Sequence, residues 1–358
     1  MAPKLGQIRY FCAPMRKRKK FVIGLVVFSM LLTTFSFYFY QMFNGANVLI
    51  NQSDLTITIE KGEAFDELRN RLYDNKIVQD ALSFSFVAKV LGYQEAVRPG
   101  VYYLQSGMSN LQVVRMLRAG DQVPVRITFN NVRLKPDLAE KITKNTSISP
   151  ADFEKLLNDE VFLEKYNLTS ETAISPFIPN TYEVYWTITA EELFDKMHQE
   201  YKKFWTSERK AKAKALNLSP VEVSTLASIV QAETIKADES AKVAGLYINR
   251  LNSNMRLQAD PTVKFALGDF ERQRILTVDT QIDSPYNTYL YRGLPPGPIN
   301  LPTIASINAV LDYKKHDYLY MCAKEDFSGY HSFAEDIDEH NRNASRLHRA
   351  LNQRRIFR

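Results

Sequence analysis

From Phe21 to Tyr40, twenty consecutive positions carry no charge. As a helix, a segment of that length spans roughly 30 Å, the thickness of a bilayer core. Arg16, Lys17, Arg18, Lys19 and Lys20 stand just before it, and Tyr38, Phe39 and Tyr40 close its far end as an interfacial aromatic belt would. The pattern predicts a single transmembrane anchor. A cleaved signal peptide would have an apolar core of about 7–15 residues and then a small-x-small site, and Gln41-Met42-Phe43-Asn44 offers none. The positive-inside rule places residues 1–20 in the cytoplasm and the chain beyond residue 40 outside.

After an expected linker (41–53), a pattern appears and recurs. Leu55-Thr56-Ile57-Thr58-Ile59 alternates as a strand does, reaches Gly62, and is followed by Leu68 and Leu72 at helical spacing. Val101-Tyr102-Tyr103-Leu104 then runs into Gly107, with Val113 and Leu117 at the same offsets from the glycine. A looser third copy runs from Val125 to Phe129, then Leu138 and Ile142. The first two copies, with the apolar helical stretch Ala81 to Leu91 between them, predict a small α+β module over 54–122. It resembles a LysM module, which implies contact with N-acetylglucosamine-containing glycan; a plain spacer is the alternative.

The remainder, 123–358, reads as a mixed α+β domain with its densest chemistry over 219–341. A mainly helical region from Pro150 to Leu216 is interrupted by a structured loop at Ile174 to Tyr182, where Pro176 and Pro179 forbid helix. Ser219-Pro220-Val221-Glu222 reads as a capping box with proline at the first helical position. Leu226, Ile229, Val230 and Glu233 then share one helical face. A carboxylate ending an apolar stripe is either paired, turned to water, or kept partly neutral by desolvation, as a general acid needs to be. Downstream lie rigid proline- and glycine-rich loops, a strand candidate at Tyr318 to Ala323, and a final helix bearing Asp336, Glu339 and His340.

Charge narrows the function classes. Residues 1–20 hold seven basic residues and no acidic one, which leaves 39 basic against 40 acidic residues in the rest of the chain. The basic excess therefore belongs to the tail and gives no argument for nucleic acid. Cys12 and Cys322 fall on opposite sides of the anchor, so no disulfide framework is expected. No clustered ligand set predicts a metal or cofactor.

Several segments in order carry a resemblance. These are Leu226-Ala227-Ser228-Ile229-Val230-x-x-Glu233-Thr234, Asn249-Arg250-Leu251, Met255-Arg256-Leu257-Gln258-x-Asp260-Pro261-Thr262-Val263 and Ser284-Pro285-Tyr286-Asn287-Thr288-Tyr289. Gly293-Leu294-Pro295-Pro296-Gly297-Pro298-Ile299, Tyr318-Leu319-Tyr320, His331-x-Phe333 and His340-Asn341 complete the set. Together they resemble the MltG/YceG-like endolytic murein transglycosylases. The chain departs from that pattern at Gln231-Ala232, where the family often carries Glu-Lys. The resemblance implies an enzyme of the bacterial inner membrane with its catalytic domain on the periplasmic side. Its substrate would be the glycan strands of peptidoglycan, its neighbours candidate peptidoglycan synthases, and its catalytic acid Glu233. It also implies sugar-contacting roles for Asn249, Arg256, Gln258, Asp260, Tyr286, Asn287, Tyr289, Tyr320 and His331. For each of these a purely structural role is the alternative. Two other functions stay open: a hydrolytic muramidase using Asp260 or Asp283 as second carboxylate, and a non-catalytic wall-binding scaffold.

Overall fold

The computed structural model describes residues 15–50, 54–130, 132–272 and 274–354. Lys4, Arg9 and Cys12 of the tail, and Arg355 at the far end, lie outside the described residues. The chain is mixed α+β and divides into two compact units, Met1–Val123 and Pro124–Arg358.

In the first unit, helix α1 (Met15–Asn44) contains one stretch long and apolar enough to cross a membrane, Arg18–Asn44, none of it buried. Then follow β1 (Asp54–Ile59), α2 (Phe65–Asp74), α3 (Ala81–Val90), β2 (Gly100–Gln105) and α4 (Asn110–Ala119). The two strands pair antiparallel, with Leu55 opposite Leu104 and Ile57 opposite Tyr102. Gly62 and Gly107 both take positive φ, which turns each strand into its helix. Leu68, Leu72, Val113 and Leu117, the apolar marks of the repeat, all lie in one core.

Within the described residues 41–50 of the stretch read as a linker, part is tied down. Asn47 and Val48 are buried. The Asn47 amide donates to Asn110 Oδ1 at 2.6 Å and to the Asp80 carbonyl at 2.9 Å, while its own Oδ1 accepts from Asp80 N at 2.7 Å. Asn110 in turn donates to the Met42 carbonyl at 2.9 Å. A side-chain amide satisfied from three sides fixes the chain at this point. Trimming residues 1–40 should therefore leave the fold of this unit intact. Trimming to residue 53 should lower its melting temperature by removing Asn47 and Val48, as calorimetry of the two fragments would show.

The second unit opens with β3 (Val125–Phe129), α5 (Lys135–Thr143), α6 (Pro150–Leu156), α7 (Glu160–Glu164), β4 (Asn180–Val184), α8 (Ala190–Phe204) and α9 (Ser207–Ala215). The third repeat copy is here: β3 pairs antiparallel with β4, and Leu138 and Ile142 are fully buried. The loop predicted at Ile174 to Tyr182 ends early, because Asn180 to Tyr182 already belong to β4.

Next come α10 (Pro220–Glu233), α11 (Ala237–Asn252), α12 (Asp260–Leu267), α13 (Ile304–Leu311), β5 (Tyr320–Ala323), β6 (His331–Ala334) and α14 (Ile337–Gln353). Helix α10 begins as its capping box dictates, with Glu222 N donating to Ser219 Oγ and Ser219 N to Glu222 Oε2. It is not amphipathic. Every residue from Val223 to Val230 is buried, so the one-face stripe understates its position at the centre of the core. The hydroxyls of Ser224 and Thr225 stay satisfied by bonding back to Pro220 O and Val221 O.

Candidate active site

Glu233 is the last residue of α10, where the helix dipole disfavours negative charge. Protein atoms surround most of its carboxyl group and the remainder opens to a cleft. Burial raises its pKa to about 7 against the pull of a hydrogen bond from Tyr247. Tyr247 Oη donates to Glu233 Oε1 at 2.8 Å. Asp260 pushes the same way as burial, whereas His331 and Arg250 oppose it. The outcome is a carboxyl group that can be found in either protonation state near neutrality.

Helix α11 supplies the groups behind the carboxyl. Glu239, Tyr247 and Arg250 fall within about 80° of one another at 100° per residue, and all three are buried. The Arg250 guanidinium is spent on carbonyls: Nε donates to Leu319 O at 2.6 Å and Nη1 to Leu257 O at 2.6 Å. It thus ties α11 to the residue just before β5 and to the approach of α12. Glu239 accepts from His331 N at 2.9 Å, His331 Nδ1 at 2.7 Å and Thr234 Oγ1 at 3.2 Å. A carboxylate on Nδ1 holds an imidazole proton there, so that in the neutral ring Nε2 is the acceptor.

Cavities that share lining residues adjoin one another in the second unit. One of about 250 Å³ is bounded by Glu233, Gln258, Asp260, Tyr289, Cys322 and His331. A second, of about 400 Å³, shares Glu233 and Asp260 with it and extends to Arg133, Lys264 and Phe270. A third, of about 380 Å³, shares Arg133 and Phe265 with the second and reaches Tyr286 and Pro298. On the other side His331 also bounds a cavity of about 420 Å³ with Lys242, Tyr318 and Arg346. Glu233 therefore sits within a chain of adjoining hollows rather than at the bottom of one closed pocket.

Gln258, Asp260, Tyr289 and His331 thus share the Glu233 cavity. Asp260 is the first residue of α12, and Tyr289 Oη donates to its Oδ1 at 2.6 Å. Gln258 holds a positive φ of 50°, a strained backbone position of the kind that collects at functional sites. Tyr286 is elsewhere, its ring 4.7 Å from Phe265.

Other residues given sugar-facing roles have structural partners. Asn287 is fully buried; its amide donates to Thr280 O and Ile282 O, and its Oδ1 accepts from Tyr289 N. It braces the loop that carries Tyr289. The Asn249 amide holds the His316 and Tyr318 carbonyls at 2.6 and 3.1 Å. The Tyr320 ring is stacked on His340 and faces Arg250. Arg256 is exposed and bounds neither Glu233 cavity. Asp283, one of the two second-carboxylate candidates, accepts from Tyr291 and is absent from both cavities as well.

Sequence reasoning missed Glu239 and Tyr247, and it treated Gln231 only as a departure. Gln231 is a clasp. Its Oε1 accepts from Thr303 N at 2.6 Å and Ser306 Oγ at 3.1 Å, and its Nε2 donates to Leu301 O and Asn300 Oδ1. The proline-rich loop is held onto α10 in the same way: Ile299 N donates to Ser228 Oγ and Asn300 Nδ2 to Ser228 O. Gly297 must lack a side chain, since a Cβ there would lie 2.1 Å from Glu171 O.

Residues 57–346 match the YceG-like family, and the chain belongs to it. Among its relatives is the endolytic murein transglycosylase of Streptococcus pneumoniae strain D39, 29% identical over 366 residues, covering 91% of this chain and 65% of that protein. The chain thus spans 65% of the length of that pneumococcal relative. The endolytic murein transglycosylase of Bacillus subtilis strain 168 is 28% identical over 307 residues, covering 82% of this chain and 84% of its own length. The 2.6 Å crystal structure of a yceG-like protein from Listeria monocytogenes superposes with a TM-score of 0.54 at 27% identity, over 81% of this chain and 98% of that one.

Proposed function

We propose that the chain is a membrane-anchored endolytic lytic transglycosylase. It cuts the β-1,4 bond between N-acetylmuramic acid and N-acetylglucosamine within peptidoglycan strands and so ends strand elongation. The single observation that carries this is Glu233, a carboxyl group with a pKa near 7 whose cavities continue along the unit on both sides. An internal bond of a polymer needs a groove the strand can cross, and hollows that share lining residues on either side of Glu233 support that reading. Both relatives named above are called endolytic murein transglycosylases.

Protonated Glu233 gives its proton to the glycosidic oxygen as the C1–O bond breaks. The same carboxylate then takes the proton of the muramic sugar's own 6-hydroxyl while that oxygen bonds to C1. No water enters, the product ends in a 1,6-anhydro ring, and Glu233 returns to its starting state. One carboxyl group suffices because the nucleophile belongs to the substrate, where effective molarity is high. His331, with Nε2 as acceptor, Gln258 and the Tyr289–Asp260 pair are the sugar-facing groups in this scheme. Helix α1 anchors the enzyme in the plasma membrane with the catalytic unit outside. The LysM-like module adds a glycan contact, and peptidoglycan synthases are candidate partners.

Mass spectrometry of purified glycan strands after incubation is the test: anhydro ends support the scheme. Reducing ends would favour a hydrolytic muramidase, for which Asp260 is the second carboxylate in reach, since it bounds both Glu233 cavities. Absence of any cut would leave a wall-binding scaffold.

Because the free enzyme must start protonated, kcat/KM should fall as pH rises through about 7. Tyr247 stabilises the ionised form, so Tyr247→Phe should raise the Glu233 pKa and move that limb to higher pH. A limb unmoved in the pH profile of the variant would assign it to another group.

A further inference from the structure

Helix α3 is apolar nearly all round. Phe84, Val87 and Ala88 enter the core of the first unit. On its other side Leu82, Phe86 and Val90 follow one another at four-residue spacing and stay 84%, 43% and 56% exposed. Such a face on a water-surrounded helix is unfavourable, and something must cover it.

What lies beside it is the end of α1. The Phe86 ring meets Phe39 edge-on at 6.5 Å and Phe43 at 6.3 Å. Twenty residues from Phe21 cross roughly 30 Å of hydrocarbon, so Phe39 and Phe43 stand at or just past its outer boundary. The middle of α3 is therefore held at the level of the interface. Asn110, which donates both to Met42 O on α1 and to Ser83 Oγ on α3, keeps it from drifting away. An apolar cleft of about 430 Å³ between α1 and α4, bounded by Phe35, Phe39, Phe43 and Leu111, continues the same greasy level. Lys89, the one charge on the exposed side of α3, is long enough to keep its ammonium among the headgroups.

We propose that α3 is a second membrane contact, an interfacial helix that lays Leu82, Phe86 and Val90 into the outer leaflet beside the anchor. The bilayer is chosen over a protein partner because the face is continuous with a helix whose most apolar window holds no buried residue. It follows that the first unit rests on the membrane rather than reaching away from it. This rests on α1 being a bilayer anchor, and the experiment separates the two claims.

The full chain, with Cys12 and Cys322 replaced by serine, is reconstituted into phosphatidylethanolamine–phosphatidylglycerol vesicles. Nitroxide labels are placed singly at Leu82→Cys, Val90→Cys, Phe28→Cys in the span and Tyr73→Cys on the exposed side of α2. Collisions with oxygen, which concentrates in lipid, are compared with collisions with a water-soluble nickel chelate. The oxygen-to-nickel ratio at positions 82 and 90 should exceed that at 73 several-fold and approach that at 28. Nickel access at 82 and 90 equal to that at 73 would put the face in water and overturn the proposal. Shielding from both reagents would show a protein cover, such as a second copy of this chain, and would overturn it equally. A Phe28→Cys label exposed to nickel would instead bring down the anchor itself, and the α3 contact with it.

Discussion

Glu233→Gln should bind glycan strands and cut none of them. The substitution keeps size and keeps an acceptor for Tyr247 Oη, which sits 2.8 Å from Oε1. It removes the group through which both proton transfers of the scheme pass. A positioned general acid or base is worth about 10²–10⁴-fold, and here one group serves in both halves of the cycle. A loss of at least about 10³-fold in turnover is expected, with affinity for glycan strands unchanged. Retention of near wild-type cleavage would assign the acid to another residue, and Asp260 would be the first to examine.

The same variant carries a stability signature independent of turnover. Folding raises the Glu233 pKa from 4.5 to about 7. Between those values the native protein keeps a proton that the unfolded chain releases, so this site's contribution to stability falls as pH rises through that window. The full difference is at most about 3 kcal/mol, and less in proportion to the water that reaches the carboxyl group from the cleft. Glutamine carries no such dependence. Relative to wild type, the melting temperature of Glu233→Gln should rise steadily from pH 4.5 to pH 7 and level off above. A flat difference would mean that the folded carboxyl group is not held near neutrality, and the acid would lose its physical basis.

What was legible in the sequence was local. Ser219, Pro220 and Glu222 begin α10 through contacts three residues apart, and the glycine-centred repeat places Leu68, Leu72, Val113 and Leu117 in a core because strand-turn-helix geometry is set within a dozen residues. Glu233 stood out because a carboxylate is costly after so apolar a run. The functions of amides and rings were not legible. Asn249 and Asn287 have the chemistry to hold a sugar, yet both are spent on backbone carbonyls: those held by Asn287 lie five and seven residues away in its own loop, and those held by Asn249 lie 67 and 69 residues away. Gln231 looked like a missing carboxylate because its partners, Thr303 and Ser306, are also more than seventy residues off. Tyr247 had one signal in reach: with Arg250 it shares a face of α11 that a soluble helix would otherwise fill with aliphatic residues.

Glu239 shows how such a group acts and how it can be tested. It lies 92 residues from His331 and pins it by both the backbone N–H and Nδ1. Replacing it with glutamine keeps the shape but puts an amide N–H₂ against donors that need an acceptor. A buried hydrogen bond to a charged group is worth about 1.5–3 kcal/mol, so Glu239→Gln should lose stability of that order. If its task is also to hold the imbalance of the ring, with the proton on Nδ1 and Nε2 turned to the cleft, activity falls beyond what the lost stability explains. The double-mutant cycle decides. Glu239→Gln added to His331→Ala should cost no further turnover under conditions where both proteins are fully folded, although it still costs stability through Thr234, whose hydroxyl also bonds to Glu239. Additive losses in turnover would mean that Glu239 acts on the cleft by another route, through Thr234 at the foot of α10 and the carboxyl group one residue before it.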